Sequence, residues 1–268
     1  MALHFVVMPP NSAELIQAAK QKLFLSWHYA ARDLGITRQM RRFQARNSPD
    51  AVFIWIPKTA GTSLWSVVES AGGHLYGKDA RGAWDLPQAL REFPNRGIAT
   101  FGHVSYLHLL KMGIISPHFE ASSYKFCVVR NPYDRAVSLF HYNQRIQRID
   151  KAMPFLDFTR LLSEQRYGPI GMHNCRQLSN CNSQLMWIRN RGGDVFVDEI
   201  FRIEEADVMM ERLQCVLGIQ GSLPQANIST ERDVDMSSYY SIASARQNVA
   251  DAYSDDFEAF CYPLDGIP

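Results

Sequence analysis

An α/β fold, a mostly parallel sheet flanked by helices, is predicted by two observations. Short, almost continuous apolar runs of the kind a doubly covered strand needs are each followed by a turn and then by apolar residues at helical spacing. That strand-loop-helix unit recurs along the chain with no internal repeat, which implies parallel strands joined by crossover helices. The 46% hydrophobic content of 268 residues suffices for one such core.

Residues 13–34 favour helix by composition, with Ser12 placed to cap it and Arg38, Arg41, Arg42 and Arg46 following. Residues 1–48 are therefore expected to form an N-terminal helical extension packed on the core, in preference to a membrane contact, and residues 49–268 a single domain. The run Ala51-Val52-Phe53-Ile54-Trp55-Ile56 predicts a buried strand that stops at Pro57. After Lys58-Thr59-Ala60-Gly61-Thr62-Ser63, the apolar residues Leu64, Val67, Val68 and Ala71 predict a helix ended by Gly72-Gly73. Ile98 to Phe101 is a short strand candidate ending at Gly102-His103. Lys125 to Val129 is another, followed by Arg130-Asn131-Pro132 and a helix from Tyr133 to about Arg148, with the proline suited to a first turn. Glu199 to Ile203 predicts a further strand, with helix to about Leu217. Ser237 to Phe260 reads as helix from the spacing of Ile242, Val249, Ala252, Tyr253, Phe257 and Phe260. Segments 73–97 and 149–182 lack clear periodicity and read as loops that shape acceptor choice.

Composition excludes several partners. The 28 basic and 27 acidic residues nearly cancel, so no nucleic acid is expected and any anion site must be local. The longest apolar runs fall well short of a membrane span, and the N-terminal residues lack signal-peptide order, which together predict a cytoplasmic protein. Five cysteines without a C-x-x-C pair argue against a disulfide framework or zinc knuckle. Cys175 and Cys181 near His173 leave a metal or redox pair open, with unpaired thiols as the plainer reading, and no metal is expected.

The chemistry concentrates at two junctions. A loop between a buried strand and a helix presents unpaired N–H groups and the positive end of the helix dipole to an anion. Gly61 permits close approach, Thr62 and Ser63 add hydroxyls, and Lys58 adds a mobile cation. A nucleotide kinase or NTPase is one reading of such a loop, with Asp198 as the magnesium carboxylate, but a P-loop places its lysine after the last glycine, whereas Lys58 precedes Gly61. A non-catalytic nucleotide-binding relative is another. At the second junction, Arg130 offers a forked cation at a strand end and Ser138 a hydroxyl on the following helix.

The run F-I-W-I-P-K-T-A-G-T-S-L, Phe53 to Leu64, resembles the 5′-phosphosulfate loop of sulfotransferases that use 3′-phosphoadenosine-5′-phosphosulfate (PAPS), most closely the carbohydrate branch containing the heparan sulfate 2-O enzymes. V-V-R-N-P-Y-D-R-A-V-S, Val128 to Ser138, resembles the 3′-phosphate motif of the same family. The resemblance implies a P-loop-like sulfotransferase fold and PAPS as co-substrate. It implies a 5′ site from Lys58, Thr59, Ala60, Gly61, Thr62 and Ser63, a 3′-phosphate site at Arg130 and Ser138, and a polar loop closing over the nucleotide with Ser229 and Arg232. Arg135 is set aside as a surface or helix-packing residue. Tyr239-Tyr240 and the segment Tyr253 to Phe260 resemble the family's C-terminal elements and are expected to be structural.

Transfer to a hydroxyl needs a base, for which histidine is suited. His103, in F-G-H-V-S-Y-L, resembles the G-H motif whose histidine is the base in the heparan sulfate 2-O branch, and His74, His108 and His141 are alternatives. The expected activity is metal-independent in-line sulfuryl transfer to an acceptor hydroxyl, of a glycan by resemblance, or of a tyrosine or small metabolite.

Overall fold

Alternate residues of the central strands point to opposite faces, and the core divides accordingly. In the computed structural model, which describes residues 51–71, 73–75, 98–105, 107, 123–165, 178–189, 193–223 and 236–266, the strands are β1 (Ala51–Ile54), β2 (His74–Leu75), β3 (Ile98–Thr100), β4 (Tyr124–Val129) and β5 (Glu199–Arg202). They lie in the order β2-β3-β1-β4-β5 with every pairing parallel. Ala51, Phe53, Phe126 and Val128 bury one face against α1 (Gly61–Ser70) and α5 (Ala206–Leu217), through Leu64, Trp65, Val67, Val68, Met209, Met210 and Leu213. Val52, Ile54, Cys127 and Val129 bury the other against α2 (Pro132–Arg145), α3 (Phe155–Ser163), α7 (Ala243–Ala252) and α8 (Ser254–Ala259). Helices on both faces are what continuous apolar strands require.

Register brings the chemistry to one edge. Phe53 pairs with Thr100 and Ile54 with Cys127, so β1, β3 and β4 end side by side. Each then releases one predicted site segment at that edge: the loop with Lys58, the Gly102-His103 turn, and Arg130. Strand ends in open parallel sheets are where ligands bind.

Three expectations need correction. The stretch 73–97, expected as loop, opens with strand β2, which pairs with β3. The stretch 149–182 contains a regular helix, α3, which buries Phe158, Leu161 and Leu162, and a short 3-10 turn at Ser179–Cys181. The stretch expected as one helix from Ser237 is three: α6 (Met236–Tyr239), α7 and α8. The break between α7 and α8 falls at Tyr253, whose hydroxyl donates to the Cys181 carbonyl at 2.7 Å. That break also turns Asp256 into the interior. The N-terminal extension, Ser229, Arg232, His108, His173 and Cys175 lie outside the described residues. Among the described residues no helix is long and apolar enough to cross a membrane, and no cluster of three or more His, Cys, Asp or Glu is placed to hold a metal.

Candidate active site

The loop after β1 is held in a shape that ordinary side chains resist. Lys58 and Ala60 both adopt left-handed backbone, with φ of 65° and 59°, a conformation that costs a non-glycine residue of order 1–3 kcal/mol and persists where surroundings impose it. Ala60 is the N-cap of α1 and offers no side-chain cap. The Ser63 and Leu64 amides already bond to the Ala60 carbonyl, at 3.0 and 3.2 Å. The amide donors left for an anion therefore precede Ser63, and Ser63, which is buried, does not present its N–H. Thr59 is wholly buried and donates its hydroxyl to the Ile56 carbonyl at 3.1 Å, so its side chain closes the loop. Thr62 is exposed.

Gly61 is required by a contact that sequence reasoning did not foresee. A Cβ at that position would lie 2.0 Å from Nε1 of Trp55, so the indole occupies the space any other residue needs. The close approach made possible by this glycine is between the helix start and Trp55, beneath the loop.

Lys58 sits in an electropositive, partly buried position. Its ammonium lies 4.8 Å from the Tyr142 ring centroid, and Arg145 approaches the same ring at 5.6 Å. Burial first, then repulsion from Arg145 and Arg130, lowers the Lys58 pKa to about 8. Arg130 follows β4 directly and is buried. Its Nε pairs with Asp134 at 2.5 Å and its Nη1 reaches the Lys58 carbonyl at 3.5 Å, so the two predicted half-sites touch. α2 begins at Pro132, with the Asn131 side chain accepting the Tyr133 amide as cap. Asp134, Ser138 and Tyr142, at i, i+4 and i+8, share one face of that helix. Ser138 is half-buried.

Residues that the sequence reading did not place in the site tie these parts together. Arg135, set aside from the sequence, is wholly buried. Its Nε donates to the Pro57 carbonyl at 3.1 Å, and its Nη2 to the Asn180 and Asn182 carbonyls at 3.0 Å each. Gln184, also wholly buried, clamps the Arg130 backbone: it accepts from the Arg130 N–H and donates to the Arg130 carbonyl, both at 2.9 Å. Asp256 in turn accepts from the Ser183 hydroxyl at 2.6 Å and from the Gln184 and Leu185 amides at 2.8 and 2.9 Å. Burial pushes the Asp256 carboxyl pKa up, opposed by Arg135 and these donors. The expected structural role of the C-terminal segment thus has a specific form. Arg135 carried a signal in its motif, whereas Gln184 sits in a stretch with no pattern at all.

His103 follows Gly102, whose φ of 61° makes the turn off β3. Its Nδ1 lies 2.9 Å from the Trp55 carbonyl, which only accepts, so Nδ1 carries the proton and Nε2 is the basic nitrogen of the neutral ring. Its ring meets the Trp55 indole edge-on at 5.3 Å. His141, on α2, engages the Tyr239 hydroxyl through Nε2 at 2.6 Å. Asp198, the carboxylate of the NTPase reading, accepts the Lys125 N–H at 2.6 Å and pairs with its ammonium at 3.2 Å. That position is at the start of β4, about 16 Å along the strand from Arg130 at 3.3 Å per residue. A magnesium carboxylate for this loop is therefore not Asp198.

A parallel α/β sheet with an uncapped helix start and cations gathered at its strand ends is an arrangement suited to an anion. A profile of the sulfotransferase family matches residues 42–263, and the chain belongs to that family. Among solved structures it is similar to the crystal structure of mouse sulfotransferase SULT7A1 complexed with PAP, with 19% identity and a TM-score of 0.43. The match covers 76% of this chain and 64% of that chain, under two thirds of the mouse protein's length. No curated protein matches the sequence.

Proposed function

We propose that this protein transfers the sulfuryl group of PAPS to an acceptor hydroxyl, without a metal. The observation that carries the reading is the convergence of Lys58, Arg130 and an uncapped helix start at one sheet edge in a chain of this family. The residues fit the co-substrate: two left-handed residues and the first amides of α1 suit the 5′-phosphosulfate, and Arg130 with Ser138, one helical turn beyond Asp134, suits the 3′-phosphate. PAPS supplies an activated sulfuryl group on a phosphate leaving group.

His103 Nε2 takes the proton of the acceptor hydroxyl while its oxygen bonds to sulfur, and Nδ1, held by the Trp55 carbonyl, fixes the ring. Lys58 holds the negative charge that develops on the leaving phosphate oxygen as the sulfur–oxygen bond breaks. Arg130 and Ser138 hold the far end of the nucleotide. The glycan acceptor rests on motif resemblance to the heparan sulfate 2-O branch, and a cytoplasmic location on sequence order alone. Ser229 and Arg232 complete the nucleotide site in this reading.

Thermal melting tests it. Adenosine 3′,5′-bisphosphate (PAP) without magnesium should raise the melting temperature, while ATP with magnesium should not; at 100 times Kd the gain is about 2.7 kcal/mol. If neither PAPS nor PAP binds at sub-millimolar concentration, the reading is wrong.

A further inference from the structure

Arg130 is aimed by its backbone, and that backbone is not held by the strand it leaves. β4 ends at Val129, and the next N–H and C=O are taken by one amide side chain, Gln184, from a segment more than fifty residues away. Gln184 mimics a neighbouring strand for a single residue. Its own orientation is set from a third place: Asp256 binds its main-chain N–H at 2.8 Å and lies 3.4 Å from its side-chain nitrogen. Ser183 and Leu185 complete the carboxylate's partners. Gln184 and Asp256 are wholly buried, so no water replaces these bonds at no cost.

We infer that Gln184, oriented by Asp256, is a positioning residue that sets how the protein recognises the 3′-phosphate of its nucleotide. This rests on the proposed assignment of Arg130 to that phosphate. Gln184 touches no ligand; it fixes the rotational setting of the residue that does. The 5′ loop has its own supports, Arg135 on the Pro57 carbonyl and Thr59 on Ile56, and its contact with Arg130 is the long one from Nη1 to the Lys58 carbonyl at 3.5 Å. Loss of the Gln184 clamp should therefore weaken nucleotides bearing a 3′-phosphate and spare those without one. A residue that only stabilised the fold would affect both alike or neither.

The test compares PAP with adenosine 5′-diphosphate, which keeps a 5′ phosphate chain and lacks the 3′-phosphate, on the full chain by calorimetric or competition binding. Gln184→Met keeps volume and removes both bonds. Its PAP affinity should fall by about tenfold or more, the scale of one buried hydrogen bond to a site-forming group, with the diphosphate within about twofold. Ser183→Ala removes one bond to Asp256 without touching Gln184 and should act in the same direction, more weakly. It serves if Gln184→Met does not fold. Equal loss for both nucleotides, or no loss for either, in a folded variant overturns the inference. Wild-type protein that binds neither PAP nor PAPS overturns the functional reading instead.

Discussion

At the scale of single residues, Lys58 is the most informative group. In the proposed mechanism its charge acts on the leaving oxygen, so Lys58→Met should lower kcat by about 10²- to 10³-fold if it acts as one transition-state donor, as single-turnover kinetics would show. Its lowered pKa of about 8 gives kcat/KM an alkaline limb: the active ammonium is intact below that pH and is lost above it. Arg145 contributes to the lowering, so Arg145→Ala should move the limb to higher pH. Stability carries the opposite sign from an ordinary ion pair. An unfolded lysine near 10.5 binds a proton that the folded one has released between about 8 and 10.5, so stability rises with pH across that window. Below it the buried cation is a full burden, and Lys58→Met should melt higher than wild type at neutral pH. Gly61→Ala would force a methyl into the Trp55 indole, costing about 1–3 kcal/mol in urea unfolding. Trp55→Leu in the same chain should return part of that loss, because the two changes share one space. His103→Ala with near-normal kcat would remove it as the base.

At the scale of elements, β1 and β4 were legible because each carries a continuous apolar run, and α1 and α2 because turn residues mark their starts, whereas β2 is two residues with no run to read. α3 was missed: Pro154 opens it and Phe158, Leu161 and Leu162 line its inner face, but the surrounding polar residues masked nine residues of period. The C-terminal helices were merged because apolar spacing continues through Tyr253, while the break is made by a tertiary bond to Cys181 that no local pattern encodes. The same applies to the site. Lys58, Arg130 and Ser138 stand in motifs whose residue types announce phosphate, whereas Gln184 and Asp256 matter through contacts spanning 54 and 72 positions. Asp256 caps the start of α4 (Leu185–Ile188) from another element. Asp256→Ala should cost on the order of 3 kcal/mol in chemical denaturation, since the Ser183 hydroxyl and two amides lose a buried acceptor.

At the scale of the molecule, charge is balanced globally and concentrated locally. The formal net charge is +1, yet Lys58, Arg130 and Arg145 act on one another at a single edge. PAP affinity should therefore fall as salt is raised, while a neutral nucleoside shows no such dependence. The parallel sheet explains why the edge is assembled: neighbouring parallel strands deliver Lys58, His103 and Arg130 side by side without any of them leaving its own loop. The Trp55 indole lies under Gly61, edge-on to His103 and stacked on Trp65 at 6.2 Å. A shifted α1 start changes the indole's surroundings, because Gly61 packs directly on it. The difference in fluorescence between the wild type and Trp55→Phe is thus a built-in optical readout that steps when the loop is filled.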